Sequence, residues 1–365
     1  MIRVLHIGLT SNYGGVENFV INLYRNLNSE NFQFDFLALA NEKMAFEDEI
    51  IKMGGNVYHI IETRKSGKRS IIDGISFFQS HNFDIIHMHR NHLGDLDYLW
   101  MAKYFSNAKR IIHAHTTNYI TPLSKPVRFM ESINKFSLDK ISTNLIACSN
   151  EAGNWMFNNK KFTVIPNSIR LEDLKFNIEA REYYRNKLQL RDNQILLGHI
   201  GSFFKVKNQE LLIKLMPNLL TYNDNYRLIL IGEGLEKTRL ENLVANLKLE
   251  KYVCFAGKQS DIKGYLSAMD IFLFPSKFEG MPLTLIEAQA NGLPIIVSSQ
   301  VSDEIKVAEN VFSLPIDNID EWVSNIINVD KHRVDNLPVL FENGFDISST
   351  SNKIEDYYNE ILDVR

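Results

Sequence analysis

Residues 274–294 read F-P-S-K-F-E-G-M-P-L-T-L-I-E-A-Q-A-N-G-L-P and lie between the apolar segments 270–274 and 295–297. An apolar run, a polar turn, a helical pattern and a second apolar run make one β-α-β unit. Such units in series build parallel sheets with helices on both faces. Pro282, after a glycine-bearing turn, marks a first helical position. Two carboxylates stand eight residues apart, Glu279 in the turn and Glu287 in the helix. The turn offers backbone N–H groups at Gly280, Met281 and Leu283 at the positive end of the helix, which suits a phosphate. Glu287, one turn further in, cannot bind phosphate but accepts hydrogen bonds from ribose hydroxyls. Phosphate, ribose and a second hydroxylated ring read together describe a nucleotide sugar.

The same alternation runs the length of the chain. Strand-like runs at 3–7, 34–39, 56–61, 85–89, 110–115, 145–148 and 162–165 have helical patterns among them at 16–26, 45–53, 68–80 and 126–137. A second series places strands at 195–200, 227–231, 252–256, 271–274 and 295–297, with helices at 209–220, 235–247, 263–268 and 283–291. Two series imply an α/β protein of two doubly wound domains, with ligands at the carboxyl ends of the strands. A length of 365 residues, more than one ordinary core fills, agrees. The expected division is 1–168, 169–346 and a helical tail 347–365, with a polar helical stretch at 172–190 opening the second domain.

Composition excludes several classes. Hydrophobic residues make up 45% and charged residues 23%, as in ordinary soluble globular proteins. A net charge of −4 argues against general nucleic-acid binding. Residues 1–168 carry a net +3 and the remainder −7, so an anionic acceptor or lipid surface suits the first half. The two cysteines, Cys148 and Cys254, lack metal spacing and fit a reducing cytoplasm. No run of 18 apolar residues occurs, and the opening M-I-R-V-L-H-I-G is too soon broken for a signal peptide. Membrane contact is therefore expected to be peripheral, on the inner face.

The E-x7-E spacing, with Phe278-Glu279-Gly280 before it and Gly292-Leu293-Pro294 after, resembles the retaining glycosyltransferases of family 4, which have the GT-B fold. The resemblance spans nearly the whole chain. Gly14-Gly15-Val16-Glu17 resembles that family's Gly-Gly-x-Glu turn, and His115 in His113-Ala114-His115-Thr116-Thr117 its acceptor-side histidine. Ala147-Cys148-Ser149-Asn150 and Val164-Ile165-Pro166-Asn167-Ser168 are similar to the end of its first domain, and the run 198–209 to the start of its second. The likeness is nearest to bacterial exopolysaccharide and capsule enzymes. It implies two Rossmann-like domains facing a cleft, the first binding acceptor and the second nucleotide sugar, with the last helix crossing back to the first. It implies transfer of a hexose from a nucleotide sugar, taken as a UDP-hexose, to a lipid-linked saccharide, with retention of configuration and without metal or cofactor.

The resemblance also implies roles. Gly15 faces the donor diphosphate, and Glu17 and His113 line the acceptor side. His115 stands near the reacting centre, Glu279 touches donor-sugar hydroxyls and Glu287 the ribose. Lys207, in the loop between a strand ending at Ile200 and the helix 209–220, offers a point charge to the leaving diphosphate. The family has Arg directly after the glycine where this chain has Ser202, which brings no charge. Either Lys205 replaces it in part or the diphosphate is held more weakly.

The remaining motifs have plainer readings. Gly14-Gly15 is not a dinucleotide fingerprint. Five of the ten histidines fall between His87 and His115. His87 and His89 share a strand face, as do His113 and His115. No cysteine or well-spaced carboxylate completes a metal site, so imidazoles lining an acceptor cleft are expected. Asp95-Leu96-Asp97 spells the D-x-D of metal-dependent transferases but reads as a solvated pair in a helical stretch. Arg64-Lys65-Ser66-Gly67-Lys68-Arg69 is a basic loop. Lys125, Arg128, Lys135 and Lys140 surround Phe129, Met130, Ile133 and Phe136, which reads equally as core or as an interfacial helix. Two other functions stay open on these residues: a sugar-nucleotide epimerase of similar fold, and a non-catalytic nucleotide-sugar-binding partner in a polysaccharide assembly complex.

Overall fold

Runs of β-branched, leucine and phenylalanine residues that are apolar on both faces can be buried on both faces, and parallel sheets demand this. In a computed structural model that describes residues 1–38, 43–60, 68–119 and 122–363, such runs form two parallel sheets. The first holds β1 (Ile2–Ile7), β2 (Phe32–Ala38), β3 (Val57–His59), β4 (Ile85–Arg90), β5 (Lys109–Ala114), β6 (Asn144–Ala147) and β7 (Thr163–Val164). Their order is β3-β2-β1-β4-β5-β6-β7. The second holds β8 (Ile195–Ile200), β9 (Tyr226–Ile231), β10 (Val253–Gly257), β11 (Ile271–Phe274), β12 (Ile295–Ser298) and β13 (Val311–Leu314), in the order β10-β9-β8-β11-β12-β13. Each sheet therefore reverses direction once, between β1 and β4 and between β8 and β11. Loops leaving the carboxyl ends of those strand pairs diverge and leave a crevice where ligands bind.

The chain divides into two compact units. The first is Met1–Ile169 with Asp346–Arg365, and the second is Arg170–Phe345. The C-terminal helix Ile347–Ile361 belongs to the first unit because its apolar face is needed there. Ile347, Ile354 and Tyr358 are buried with Val4, Phe19, Val20 and Phe34. The second unit's core joins Leu197, Leu212, Leu228, Leu273 and Trp322.

Three local expectations change. The stretch 172–190 is not one helix but a 3-10 turn, Leu171–Leu174, and a helix, Ile178–Lys187. Asn177 restarts the helix by accepting a hydrogen bond from the Ala180 N–H at 2.7 Å. Pro282 is the N-cap of Leu283–Ala290 rather than its first residue, with extended backbone. Asp95 precedes the helix Asp97–Phe105, which Asp97 opens. The ends of two expected strands, at Leu39 and Ile61, and the basic segment 64–67 lie outside the described residues. Lys68 and Arg69 open the helix Lys68–Ser80.

One polar clamp sets where β11 begins. Asp270 accepts from Arg181 Nη2 at 2.5 Å, Arg185 Nη1 at 3.1 Å and the Leu196 N–H at 2.7 Å. It thereby joins the helix Ile178–Lys187 to β8 and β11. All three side chains are largely buried. Removing the acid would leave two guanidinium groups poorly paired, which costs about 3 kcal/mol in such settings. Asp270→Ala should lower the stability of the second unit by roughly that amount in urea titration. A loss well under 1 kcal/mol would show the clamp to be incidental.

Candidate active site

In the second unit the crevice between β8 and β11 is lined by two loops that bond to each other. The loop after β8 contains a short 3-10 turn, Lys205–Lys207, before the helix Gln209–Tyr222. The loop after β11 runs from Pro275 to the cap at Pro282. The Lys277 N–H donates to Val206 O at 2.8 Å, and Asn208 Nδ2 to Pro275 O at 3.3 Å. Lys207 Nζ meets Glu279 Oε1 at 2.6 Å, both side chains being mostly buried. The Lys207 ammonium also lies 5.7 Å from the centre of the Phe274 ring. Two residues 72 apart in sequence, named separately above, are thus an ion pair.

The rest of the loop is open. Ser202 and Lys205 are exposed, and Lys205 has no ion-pair partner among the described residues. The backbone N–H groups of Gly280 and Leu283 have no hydrogen-bond acceptor among the described residues and sit at the positive end of Leu283–Ala290. Met281 is buried. Glu287 is one turn into that helix, half-buried, with no hydrogen-bond donor among the described residues. Loss of hydration raises its pKa to about 7. A carboxylate short of donors is suited to hydroxyl groups.

The first unit's crevice holds a different arrangement. Gly15 is the first residue of the helix Gly15–Asn26. A Cβ there would meet nothing within 4 Å. Glu17 is turned into its own loop, where Oε1 accepts from Thr10 N at 3.0 Å and Thr10 Oγ1 at 2.8 Å. His6 on β1 is in register with His87 on β4, and His89 on β4 with His113 on β5. His115 follows β5. These five imidazoles form a buried ladder. His6 Nδ1 is 2.9 Å from His89 Nε2, and His89 Nδ1 is 2.9 Å from His115 Nε2. His87 Nε2 is 3.1 Å from His113 Nδ1, and His87 Nδ1 is 2.6 Å from the Tyr358 hydroxyl.

A neutral imidazole has one N–H and one lone pair, so a chain of uncharged rings satisfies these contacts. Burial enforces that state. It pulls His6 and His115 down to about 3 and His87, His89 and His113 well below the ordinary value, with mutual repulsion adding to the effect at the last three. The triads His6–His87–His89 and His89–His113–His115 bring nitrogens within metal-ligand range. Six of the ten ring nitrogens meet one another and a seventh meets Tyr358, while His6 Nε2, His113 Nε2 and His115 Nδ1 are buried without a partner among the described residues. Sequence reasoning placed four of these rings on shared faces but missed His6 and Tyr358. Only strand register and the return of the last helix bring those two in.

Comparison with known proteins agrees with this layout. A family model for Glycosyltransferase Family 4 matches residues 13–173, and one for Glycosyl transferases group 1 matches 180–332. The chain is a GT-B glycosyltransferase, a family 4-like protein. It is 28% identical over 311 residues to the putative glycosyltransferase EpsF of Bacillus subtilis, covering 83% of this chain and 80% of that one. It is 24% identical to the UDP-Gal:alpha-D-GlcNAc-diphosphoundecaprenol alpha-1,3-galactosyltransferase of Escherichia coli, over 99% of this chain and 97% of the other. In fold it is similar to Anabaena HepE, solved with UDP and glucose, with a TM-score of 0.78 and 16% identity over 99% and 100% of the two chains.

Two predictions follow from the charges. Each imidazole of the ladder is neutral when folded and gains a proton when unfolded below about pH 6.5. Stability is thus intact above that value and falls with acid until about pH 3, by as much as ~1.4 kcal/mol per pH unit per ring. Acid titration should unfold the first unit steeply between pH 6 and 4, and His6→Gln should flatten the slope by about one proton; a pH-independent first unit would contradict the neutral ladder.

Glu287 has the opposite sign. Its raised pKa means that the ligand-free fold loses stability as pH rises from about 4.5 to about 7. Glu287→Gln should therefore stabilise the unliganded second unit at pH 8 by roughly 2 kcal/mol and do little at pH 4.5. The side chain is not sealed from solvent, so the gain is smaller than the whole shift implies. Equal melting of both proteins at pH 8 would count against a donor-starved carboxylate.

Proposed function

We propose that the protein is a retaining hexosyltransferase that moves a hexose from a UDP-sugar to a lipid-linked saccharide in the synthesis of a capsule, exopolysaccharide or O-antigen. The observation that carries this reading is the Lys207–Glu279 pair at the β8/β11 crevice, with donor-starved Glu287 one turn into the helix that follows. The relatives' names support the substrate classes: one acts on a diphosphoundecaprenol-linked sugar, and one neighbour was solved with UDP and glucose.

On this reading the diphosphate lies against Lys207 and the N–H groups of Gly280, Met281 and Leu283. Fixed positive charge there lowers the barrier to departure of the nucleotide, which leaves an oxocarbenium-like sugar. Lys205 supplies the charge that Ser202 lacks. Glu279 orients the sugar hydroxyls and restrains Lys207. Glu287 accepts from the ribose. In the first unit Gly15 has open space over its Cα, and His115, the least buried ring of the ladder, is the imidazole offered to an acceptor, whereas His113 is fully buried and acts only through the ladder. No metal and no cofactor takes part. The enzyme works in the cytoplasm at the inner face of the membrane, where such an acceptor is held.

The test is release of UDP from a panel of UDP-hexoses in the presence of membrane lipid extract. Lys207→Ala and Glu279→Ala should each reduce kcat by about 100-fold or more, with the folded state retained by circular dichroism. Unchanged turnover in either variant would remove these roles.

A further inference from the structure

The helix Lys125–Phe136 is built inside out. Its two buried side chains, beside the half-buried Val127 and Met130, are polar and hydrogen-bonded. Glu131 Oε1 accepts from the Leu93 N–H at 3.3 Å and Oε2 from the Tyr119 hydroxyl at 2.6 Å. Asn134 Nδ2 donates to Leu93 O at 2.6 Å and Oδ1 accepts from Trp100 Nε1 at 3.2 Å. Both residues are buried, at 3% and 1% exposure. The outward face carries Phe129, Ile133 and Phe136, exposed to 67%, 40% and 87%. Their spacing of four and three residues makes one straight ridge. A folded helix that buries its polar side and shows its apolar side marks a contact surface.

We propose that this ridge docks the first unit on an anionic phospholipid surface. Charge selects that occupant. Lys125, Arg128 and Lys140 are exposed around the ridge and have no carboxylate in ion-pair range among the described residues. Nearby acids are already engaged, Glu131 inside the unit and Asp139 with Lys160. Three side chains in a row are also far short of the ~800 Å² per partner that a stable protein interface needs. A flat helix with aromatic residues on one side and cations flanking them is suited to the headgroup region instead. The proposal rests on the lipid-linked acceptor reading for its purpose, but its test does not need substrate.

Binding to vesicles is measured by flotation, without donor or acceptor, using phosphatidylcholine alone and phosphatidylcholine mixed with phosphatidylglycerol. The protein should float with the anionic vesicles and stay behind with the neutral ones. Phe129→Ser with Phe136→Ser should weaken binding about tenfold, and Lys125→Gln with Arg128→Gln should weaken it and blunt its salt dependence. Thermal unfolding and UDP affinity of the variants should match the parent. Absence of flotation, equal flotation with neutral vesicles, or unaltered binding by the serine variant would overturn the proposal. So would a dimer in solution that the serine variant dissociates. Loss of sugar transfer with vesicle binding intact would instead strike only at the enzymatic reading.

Discussion

Lys207 and Glu279 neutralise each other across the point where the second sheet reverses, and the candidate site depends on that contact. Doubly wound strand order puts β8 beside β11 although 70 residues separate them, so their loops must share a crevice. Two charged side chains mostly removed from water are tolerable there only as a pair. The pair holds the lysine against the loop that leads into Leu283–Ala290. A diphosphate bound as proposed would compete with Glu279 for Lys207 and meet donors already in place, so little reorganisation would be required.

The first unit meets the same topological opportunity differently. Its reversal between β1 and β4 is occupied by a stack of neutral imidazoles rather than by an ion pair. The rings bond in two short chains, His6–His89–His115 and His113–His87–Tyr358, in which a neutral imidazole can donate once and accept once. That hydroxyl arrives on the last helix, so the end of the chain helps to define the polar interior of the first unit. A ladder so thoroughly desolvated holds its protons fixed over the neutral pH range, which suits holding His115 in one orientation better than carrying charge.

Much of this was legible. The E-x7-E turn, the alternation of strands and helices and the location of Lys207 in a strand-to-helix loop are local patterns, and each stands where the periodicity places it. What was hidden is tertiary or weakly patterned. β13 escaped because Val311–Leu314 has two exposed central residues and gives no continuous apolar run. The Lys207–Glu279 contact follows from strand order, which periodicity alone does not reveal. The helix Lys125–Phe136 was ambiguous for a physical reason: an apolar stripe tells which residues share a face, but the side turned inward depends on Leu93, Trp100 and Tyr119 offering polar partners.

The buried carboxylates show how satisfaction of polar groups separates scaffold from site. Glu131 accepts from a backbone N–H and a tyrosine hydroxyl, and Glu17 accepts twice from Thr10. Each has its donors within its own unit and needs no ligand to explain its burial. Glu287 has none among the described residues and resists ionisation as a result. An acid kept in that state weakens the unliganded fold at neutral pH, a cost that a purely structural glutamate would not impose and that glutamine at the same position would avoid. Its burial is rational if donors arrive with a ligand, and vicinal hydroxyls on a ribose would supply two at once. Glu279 is intermediate: its charge is balanced by a lysine that a phosphate can share. The acid that lacks donors stands in the helix that follows β11, where the chemistry of an activated sugar would be handled.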